Sequence, residues 1–261
     1  LVVTDQHGCQ AADSVTVVVN QPPYANITGL NPDICVNAGN ITMTGSPAGG
    51  TFSGPGVTGN IFQPSVVGPG FWCIRYVYTE TTTGCTDDTV ICVNVRAVPT
   101  VTASGYAPAY CQADAPVTFT GSPAGGTFTG STGLSGANGR TFTPANASVG
   151  NNVITYTYTD AQTGCSNTYT FTINVKPNPT VDVTASPDTS CKNATVTYTP
   201  NFSFDVINII WSLQGGANIG AGIAPFNYVP QATNYCIIAT AVNAPYGCIA
   251  RDTVCGHVNL P

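Results

Sequence analysis

Cysteine is the residue with the most chemistry to offer in this chain: 11 of 261 residues. Thiolates can bind zinc, attack carbonyls or pair as disulfides, and spacing decides among these. A structural zinc site calls for C-x2-C steps and further Cys or His ligands. No C-x2-C step occurs, and His7 and His257 are the only histidines. A nucleophilic Cys or Ser needs an imidazole beside it, and these two stand at opposite ends of the chain. Glu80 is the sole glutamate and the aspartates gather at turns, which argues against paired acid and base carboxylates. Asp87-Asp88 lacks the spacing of an EF-hand and reads as a solvated turn. Ser53-Gly54-Pro55-Gly56 and Gly215-Gly216 are not followed by the Lys-Ser/Thr of a phosphate loop. No catalytic, metal or cofactor site is expected, and the chain reads as not an enzyme. Disulfides remain, and they imply an oxidising, extracellular compartment.

The elements that must position these cysteines are strands. Charged residues are 7% of the chain, against about 25% in an ordinary soluble domain. Lys176 and Lys192 are the only lysines and Met43 the only methionine, so straight-chain helix formers are scarce while Thr, Val, Gly, Pro and Asn dominate. β-branched residues suit a pleated surface better than a helix. Net charge is −6 with four arginines, so no basic surface exists to neutralise phosphates and nucleic acid is excluded as a partner. The longest apolar runs are about five residues, far below the roughly 20 needed to span a bilayer as a helix. No export signal is visible, so one is expected to have been removed or to lie upstream.

A repeat sets the register. Thr44-Gly45-Ser46-Pro47-Ala48-Gly49-Gly50-Thr51-Phe52 recurs 76 residues later as Thr120 to Phe128, and Cys35 and Cys111 share that offset. Past a four-residue insertion near Leu134–Arg140, Phe62 matches Phe142 and Cys85 matches Cys165. Both copies then read Tyr-x-Tyr-Thr, Gly-Cys and a closing strand. The same ending recurs from Gly247-Cys248 to Val258 and at the start from Gly8-Cys9 to Val19. The expected division is 1–20 as the C-terminal hairpin of an incomplete unit, followed by units at 21–97, 98–177 and 178–261. Proline-containing linkers (Val98-Pro99, Pro177-Asn178-Pro179) stiffen the joints and predict a rod. Short alternating runs between Gly, Pro and Asn turns predict an all-β chain of tandem antiparallel sandwiches.

Strand phase then places cysteines. In Trp72–Tyr78 the even positions face the core, leaving Cys73 outside; in Ile91–Val95 the odd positions face inward and Cys92 faces out. Cys73 and Cys92 are 19 apart, as are Cys236 and Cys255, which predicts Cys73–Cys92 and Cys236–Cys255 bridges. Their counterparts Val153 and Thr172 lack both cysteines together. A second class is expected to join each unit's entry to its own hairpin turn: Cys35–Cys85, Cys111–Cys165 and Cys191–Cys248. Cys9 is then the orphan. Its partner is expected upstream in a longer precursor, or in a neighbouring molecule whose sheet the N-terminal hairpin completes; a free thiol in a frayed end is the alternative. Trp72 shares the inward phase of Ile74 and Tyr76 and reads as core or near a domain junction; Trp211 follows Ile209-Ile210 in a strand-like run and reads the same way, with a sugar-stacking platform as the alternative for either.

The sequence resembles a known group. Leu1–Cys9 looks like the V-T-D-x-x-G-C signature of repeat modules in large surface proteins of Bacteroidota. Gly-Gly-Thr-Phe-x-Gly, then F-x-P, Y-x-Y-T and G-C, is similar to their Ig-like and PKD-like domains. The resemblance covers essentially the whole chain, but lacks a C-terminal sorting domain and the Cys…Trp…Cys core of antibody domains. It implies export, often by type IX secretion, and service as adhesin, gliding filament or surface fibre. It also implies O-glycan acceptors at Ser14, Thr89 and Thr253, each in an Asp-Ser/Thr-Val triplet. The same triplets read equally as an Asp turn running into a strand.

The expectation is therefore a structural segment of an extracellular, cell-surface fibre, self-associating or continuing in a longer chain, and polymerising by strand exchange through the N-terminal hairpin. The alternatives are an adhesin taking glycan or protein through sandwich-end loops such as Gly130–Gly139, or a spacer within a secreted enzyme.

Overall fold

In the computed structural model, which describes residues 1–203 and 205–259, nearly all regular structure is strand. Three apolar clusters organise it. The first gathers Ile27, Ile34, Met43, Phe62, Ile74, Tyr76, Val93 and Val95. The second gathers Val101, Phe119, Phe128, Phe142, Ile154, Tyr156, Phe171, Ile173 and Val175. The third centres on Val196, Tyr198, Ile209, Trp211, Ile237, Ala239 and Ala241.

Around each core two layers of strand meet, as two-faced sheets must when only one face is apolar. In the first sandwich one layer runs Asp33–Cys35, Thr86–Arg96, Gly70–Thr79, Thr51–Ser53 in spatial order. Facing it are the pair Asn26–Thr28 with Thr44–Ser46 and the short strands Ile41–Thr42, Ile61–Phe62 and Val57–Thr58. The second sandwich repeats this plan with Ala109–Cys111, Ser166–Lys176, Gly150–Thr159 and Thr127–Thr129 in its main sheet. The third widens the main sheet to five strands: Thr189–Cys191, Ile249–Asn259, Asn234–Asn243, Val206–Leu213 and Asn218–Ala221.

The sandwiches are not wholly antiparallel. In each, the entry strand pairs parallel with the last strand: Cys35 opposite Arg96, Cys111 opposite Lys176, Cys191 opposite Asn259. By its internal contacts the chain divides into two units, 1–99 with 160–166, and 100–159 with 167–261. The hairpin loop of the second sandwich thus belongs to the first unit.

The repeated motif has a packing reason. Gly45 and Gly50 lie against the ring of buried Tyr76, where a Cβ at either would overlap it. The Tyr76 hydroxyl donates to the Pro47 carbonyl and accepts the Gly50 N–H at 2.9 Å. Gly121 and Gly126 hold Tyr156 in the same way, with the hydroxyl 2.5 Å from the Pro123 carbonyl and 2.9 Å from the Gly126 nitrogen. Thr-Gly-Ser-Pro-Ala-Gly-Gly is therefore a socket for a tyrosine that arrives from the long hairpin. In the third sandwich Ala239 stands at the place of Tyr76, three residues after Cys236 as Tyr76 is after Cys73, and the buried Tyr198 hydroxyl, on a strand of the other sheet, donates to Tyr235 at 2.9 Å.

At the N-terminus only Val2–Thr4 and Gln10–Ala12 pair. Residues 13–20 form no strand, and Val15, Val17, Val18 and Val19 are exposed. The expected strand through Val19 has no neighbouring sheet on which to lie, so its alternation is not enough to hold it extended in a ladder.

Candidate functional site

The groups with chemistry lie where hairpin loops meet entry strands. Each long hairpin turns through a loop of common design. The Glu80 N–H donates to the Cys85 carbonyl at 2.9 Å and the Gly84 N–H to the Glu80 carbonyl at 2.8 Å. Asp160, Gly164 and Cys165 repeat this pattern, and so do Asn243, Gly247 and Cys248. The glycine before each cysteine has φ near +70° (Gly84 73°, Gly164 70°, Gly247 71°), a conformation only glycine adopts cheaply. The residue opening the loop caps it: Asp160 Oδ1 accepts N–H bonds from Gln162 and Thr163, and Asn243 Oδ1 accepts the Cys248 N–H at 2.9 Å. The Thr163 amide, above all, holds the Asp160 carboxyl below its ordinary range, and the Thr82 amide does the same for Glu80. The sequence pair Gly-Cys is thus a device for presenting a thiol at a hairpin tip.

Entry strands present the other thiol. After each entry cysteine the chain turns so that its carbonyl accepts the N–H three residues on: Ala38 to Cys35 at 2.9 Å, Asp114 to Cys111 at 3.0 Å, Ala194 to Cys191 at 3.0 Å.

The structure joins entry cysteines to loops of the following sandwich. Cys35 bonds Cys165 and Cys111 bonds Cys248, each with 5.6 Å between Cα atoms. This corrects the expected Cys35–Cys85, Cys111–Cys165 and Cys191–Cys248 pairs, and the parallel entry strand is the reason. Cys35 lies beside Arg96, at the far end of the 11-residue strand Thr86–Arg96 from Cys85. At about 3.3 Å per residue those ends are roughly 30 Å apart, whereas a disulfide tolerates about 7 Å between Cα atoms. Cys111 and Cys191 stand equally far from the loops of their own sandwiches. An entry cysteine therefore marks the end of a sandwich where the chain leaves, and a loop cysteine the end where it enters.

Polar contacts surround both joints. Asn37 Nδ2 donates to the Ser166 carbonyl at 3.1 Å beside Cys35–Cys165. Beside Cys111–Cys248, Lys176 Nζ sits 3.7 Å from the centre of the Tyr246 ring, within cation–π range. Asp114 accepts the Cys111 N–H at 2.8 Å there. Sequence patterns gave no sign of Asn37, Lys176 or Tyr246, since each acts on a neighbouring sandwich.

The other class of bridge lies within hairpins. Cys73–Cys92 and Cys236–Cys255 join residues directly opposite in register, with Cα atoms 4.0 Å apart. Cys9, Cys85 and Cys191 carry no bridge, Cys9 and Cys191 being exposed and Cys85 half-buried.

The remaining candidates are scattered. Trp72 is half-buried against the first core and its indole N–H donates to Gly68; Trp211 is fully buried and donates to Gly222. Asp88 pairs with Arg75 at 2.7 Å, and Asp87 accepts the Ala25 N–H at 2.8 Å. Among the described residues no group of three His, Cys, Asp or Glu side chains could hold a metal, and no helix is long and apolar enough to cross a membrane. The insertion at 134–140 folds into a short strand and a 3-10 turn, with Arg140 Nε donating to the Phe119 carbonyl. Of the three glycan triplets, Ser14 and Thr253 are exposed, while Thr89 lies opposite buried Tyr76 and is half-buried itself. Asp252 accepts the Val183 N–H at 2.7 Å, so its carboxylate also ties two layers of the third sandwich together.

No protein-family model matches the sequence, and no curated protein sequence matches it. Among solved structures, the chain is similar to a three-Ig fragment of titin in its E-to-A mutated variant, with 15% identity, 93% of this chain and 100% of that chain covered, and a TM-score of 0.36. It is similar to the N-terminal eight Ig domains of Down Syndrome Cell Adhesion Molecule, with 11% identity, 92% and 37% covered, and a TM-score of 0.37. It is also similar to the fibronectin(III)-like modules of Clostridium thermocellum CbhA, with 17% identity, 62% and 95% covered, and a TM-score of 0.33. Each of the three is a structure of Ig domains or fibronectin(III)-like modules.

Proposed function

We propose that the chain is a structural segment of an extracellular fibre or surface filament, non-enzymatic, built of Ig-like units at 21–97, 98–177 and 178–261 with a further unit's hairpin at 1–20. The observation that carries this reading is the pair of bridges running from entry strand to following loop, Cys35–Cys165 and Cys111–Cys248. They overlap along the sequence, so the shortest covalent path from Cys35 to Cys248 runs only through residues 111–165. A pull on the chain ends cannot extend the rest until a disulfide breaks. That is a use of bridges suited to bearing load, and it also demands the oxidising surroundings in which disulfides persist. Polymerisation through strand exchange finds support in the N-terminal segment: exposed Val2 and Val3 lie in a two-stranded hairpin whose outer edges pair with no other described strand, and exposed Val15 and Val17 follow it. A Bacteroidota cell surface and glycans at Ser14 and Thr253 belong to the same reading.

Single-molecule stretching tests it. The oxidised chain unravels to a contour shorter by several tens of nanometres than the reduced chain, at about 3.5 Å per residue. Electron microscopy of native material then shows filaments; monodisperse short particles in that material defeat the fibre reading.

A further inference from the structure

We propose that Cys191 and Cys85 are junction cysteines for two further units of this repeat: Cys191 takes the Gly-Cys loop of a following unit, and Cys85 the entry-strand cysteine of a preceding one. The structure contains this junction twice, at Cys35–Cys165 and Cys111–Cys248, with the same 5.6 Å Cα separation. Cys191 shares with Cys35 and Cys111 the two features that define an entry cysteine. It pairs in parallel register with the end of the last strand, opposite Asn259, and its carbonyl accepts the Ala194 N–H. Cys85 is a loop cysteine in every respect that Cys165 and Cys248 are, with the same two backbone hydrogen bonds and the same left-handed glycine before it.

What differs is cover. Cys165 and Cys248 are 0% and 1% exposed under their junctions, whereas Cys85 is half-buried and Cys191 exposed. The two lie at complementary ends, one at the entering end of the first sandwich and the other at the leaving end of the third. Cys9 tips a loop with the same hydrogen bond from its opening residue, Asp5 N–H to the Cys9 carbonyl at 2.9 Å. It has the same role for the unit to which its hairpin belongs. The partner is a unit of this repeat, supplied either by another stretch of the same polypeptide or by a second copy of the chain.

Bridge formation is a two-electron oxidation. The two thiols lose two protons and two electrons, one S–S bond forms, and an oxidised dithiol donor, itself a disulfide, is reduced to two thiols by exchange. The inference stands on the junction geometry and not on the fibre reading, because a spacer inside a longer enzyme would carry the same seals.

Non-reducing peptide mapping tests it on protein taken from its native source, with free thiols alkylated before extraction. The Cys191 peptide is expected joined to a peptide ending in Gly-Cys from a unit of this repeat, and the Cys85 peptide joined to an entry-strand cysteine; both lose their alkylation label. A partner peptide from this chain's own residues 1–9 or 80–85, in a species that runs as an oligomer without reductant, identifies a second copy. A partner encoded elsewhere in the same reading frame identifies a following unit. Alkylated Cys191 and Cys85, a small thiol on either, a link to a cysteine outside the repeat, or a Cys191–Cys85 link in a species of monomer mobility each overturn it. In the expressed chain, Cys191→Ser abolishes any such link to a second copy while leaving the four internal bridges in place.

Discussion

The first and middle sandwiches are built on one plan and hold themselves together differently. The first carries Cys73–Cys92 across its long hairpin; at the same places the middle one has Val153 and Thr172, both exposed. The middle core is aromatic where the first is aliphatic. Tyr106, Phe119 and Phe171 stand at the positions of Leu30, Met43 and Ile91. Tyr106 stacks on Phe171 at 3.8 Å, and Phe119 lies 5.4 Å from Phe128 and from Phe171 and 5.8 Å from Phe142. Both keep one equivalent pair, Phe52 on Tyr76 and Phe128 on Tyr156, at 4.6 and 4.5 Å. A disulfide acts chiefly by restricting the unfolded chain, whereas an aromatic cluster stabilises the folded one through buried area and ring geometry. The two sandwiches therefore reach the same fold by opposite ends of the folding equilibrium.

Core truncation should break the comparison hardest. Phe119→Ala removes a fully buried ring and is expected to cost the middle sandwich about 3–5 kcal/mol; Met43→Ala costs the first less, toward the lower part of about 2–5 kcal/mol. Hydrogen exchange of strand amides in 150–176 and 70–96 reads each sandwich separately, which a single melting curve cannot. Equal losses in the two would show that the aromatic cluster is not what compensates for the missing staple.

Exchanging the staples comes next. Replacing Cys73 and Cys92 by the middle sandwich's Val and Thr opens a hairpin loop whose bonded ends are 19 positions apart in sequence. Chain entropy puts the loss near 3 kcal/mol. The reverse change, Val153→Cys with Thr172→Cys, is expected to protect the middle hairpin by a comparable amount, since the two strands are sheet neighbours in the same arrangement. No gain in exchange protection there, with the bridge formed, would mean that the aromatic core already holds the hairpin in the unfolded ensemble.

These pairs also mark what the sequence could and could not tell. Cys73 and Cys92 were legible because alternation fixes the face of a strand residue, and because the same spacing returns at Cys236 and Cys255. The entry bridges were not. An offset of 76 residues shows that Cys35 and Cys111 are equivalent, but not at which end of the last strand they lie. Parallel pairing of a three-residue strand leaves no periodic signal. The same holds for the Tyr76 socket: the glycines and proline were visible as turns, yet the ring that requires them comes from a strand some 30 residues on in sequence. Val15–Val19 reads as a strand because its alternation is real, but residues 13–20 form no strand in the structure.

The tyrosine sockets should give equal effects on the two sides. Tyr76→Phe and Tyr156→Phe each leave a glycine N–H and a proline carbonyl without the hydroxyl partner. Each is expected to cost about 1–3 kcal/mol by the penalty for unsatisfied buried groups. A clear difference between them would show that the sockets, alike in geometry, are not alike in access to water.

Acid supplies the smallest and most selective difference. A hydrogen bond from Arg75, and then its charge, hold the Asp88 carboxyl below its ordinary range in the first sandwich. Thr155 and Thr168 occupy the corresponding places in the middle one. A carboxylate whose folded value is lowered contributes stability that is complete above its unfolded pKa and disappears as pH falls through the folded one. The first sandwich should therefore lose protection on the acid side that the middle one keeps. Glu80 and Asp160, both held low by loop amides, are a shared response that largely cancels between the two. Because Arg75 and Asp88 are solvent-facing, the contribution is small and salt weakens it. Exchange measured in both hairpins down the acid limb, at low and high salt, isolates it. Asp88→Asn should remove the first sandwich's excess acid sensitivity and its salt dependence together. Persistence of both in that variant would place the acid response elsewhere in the first unit.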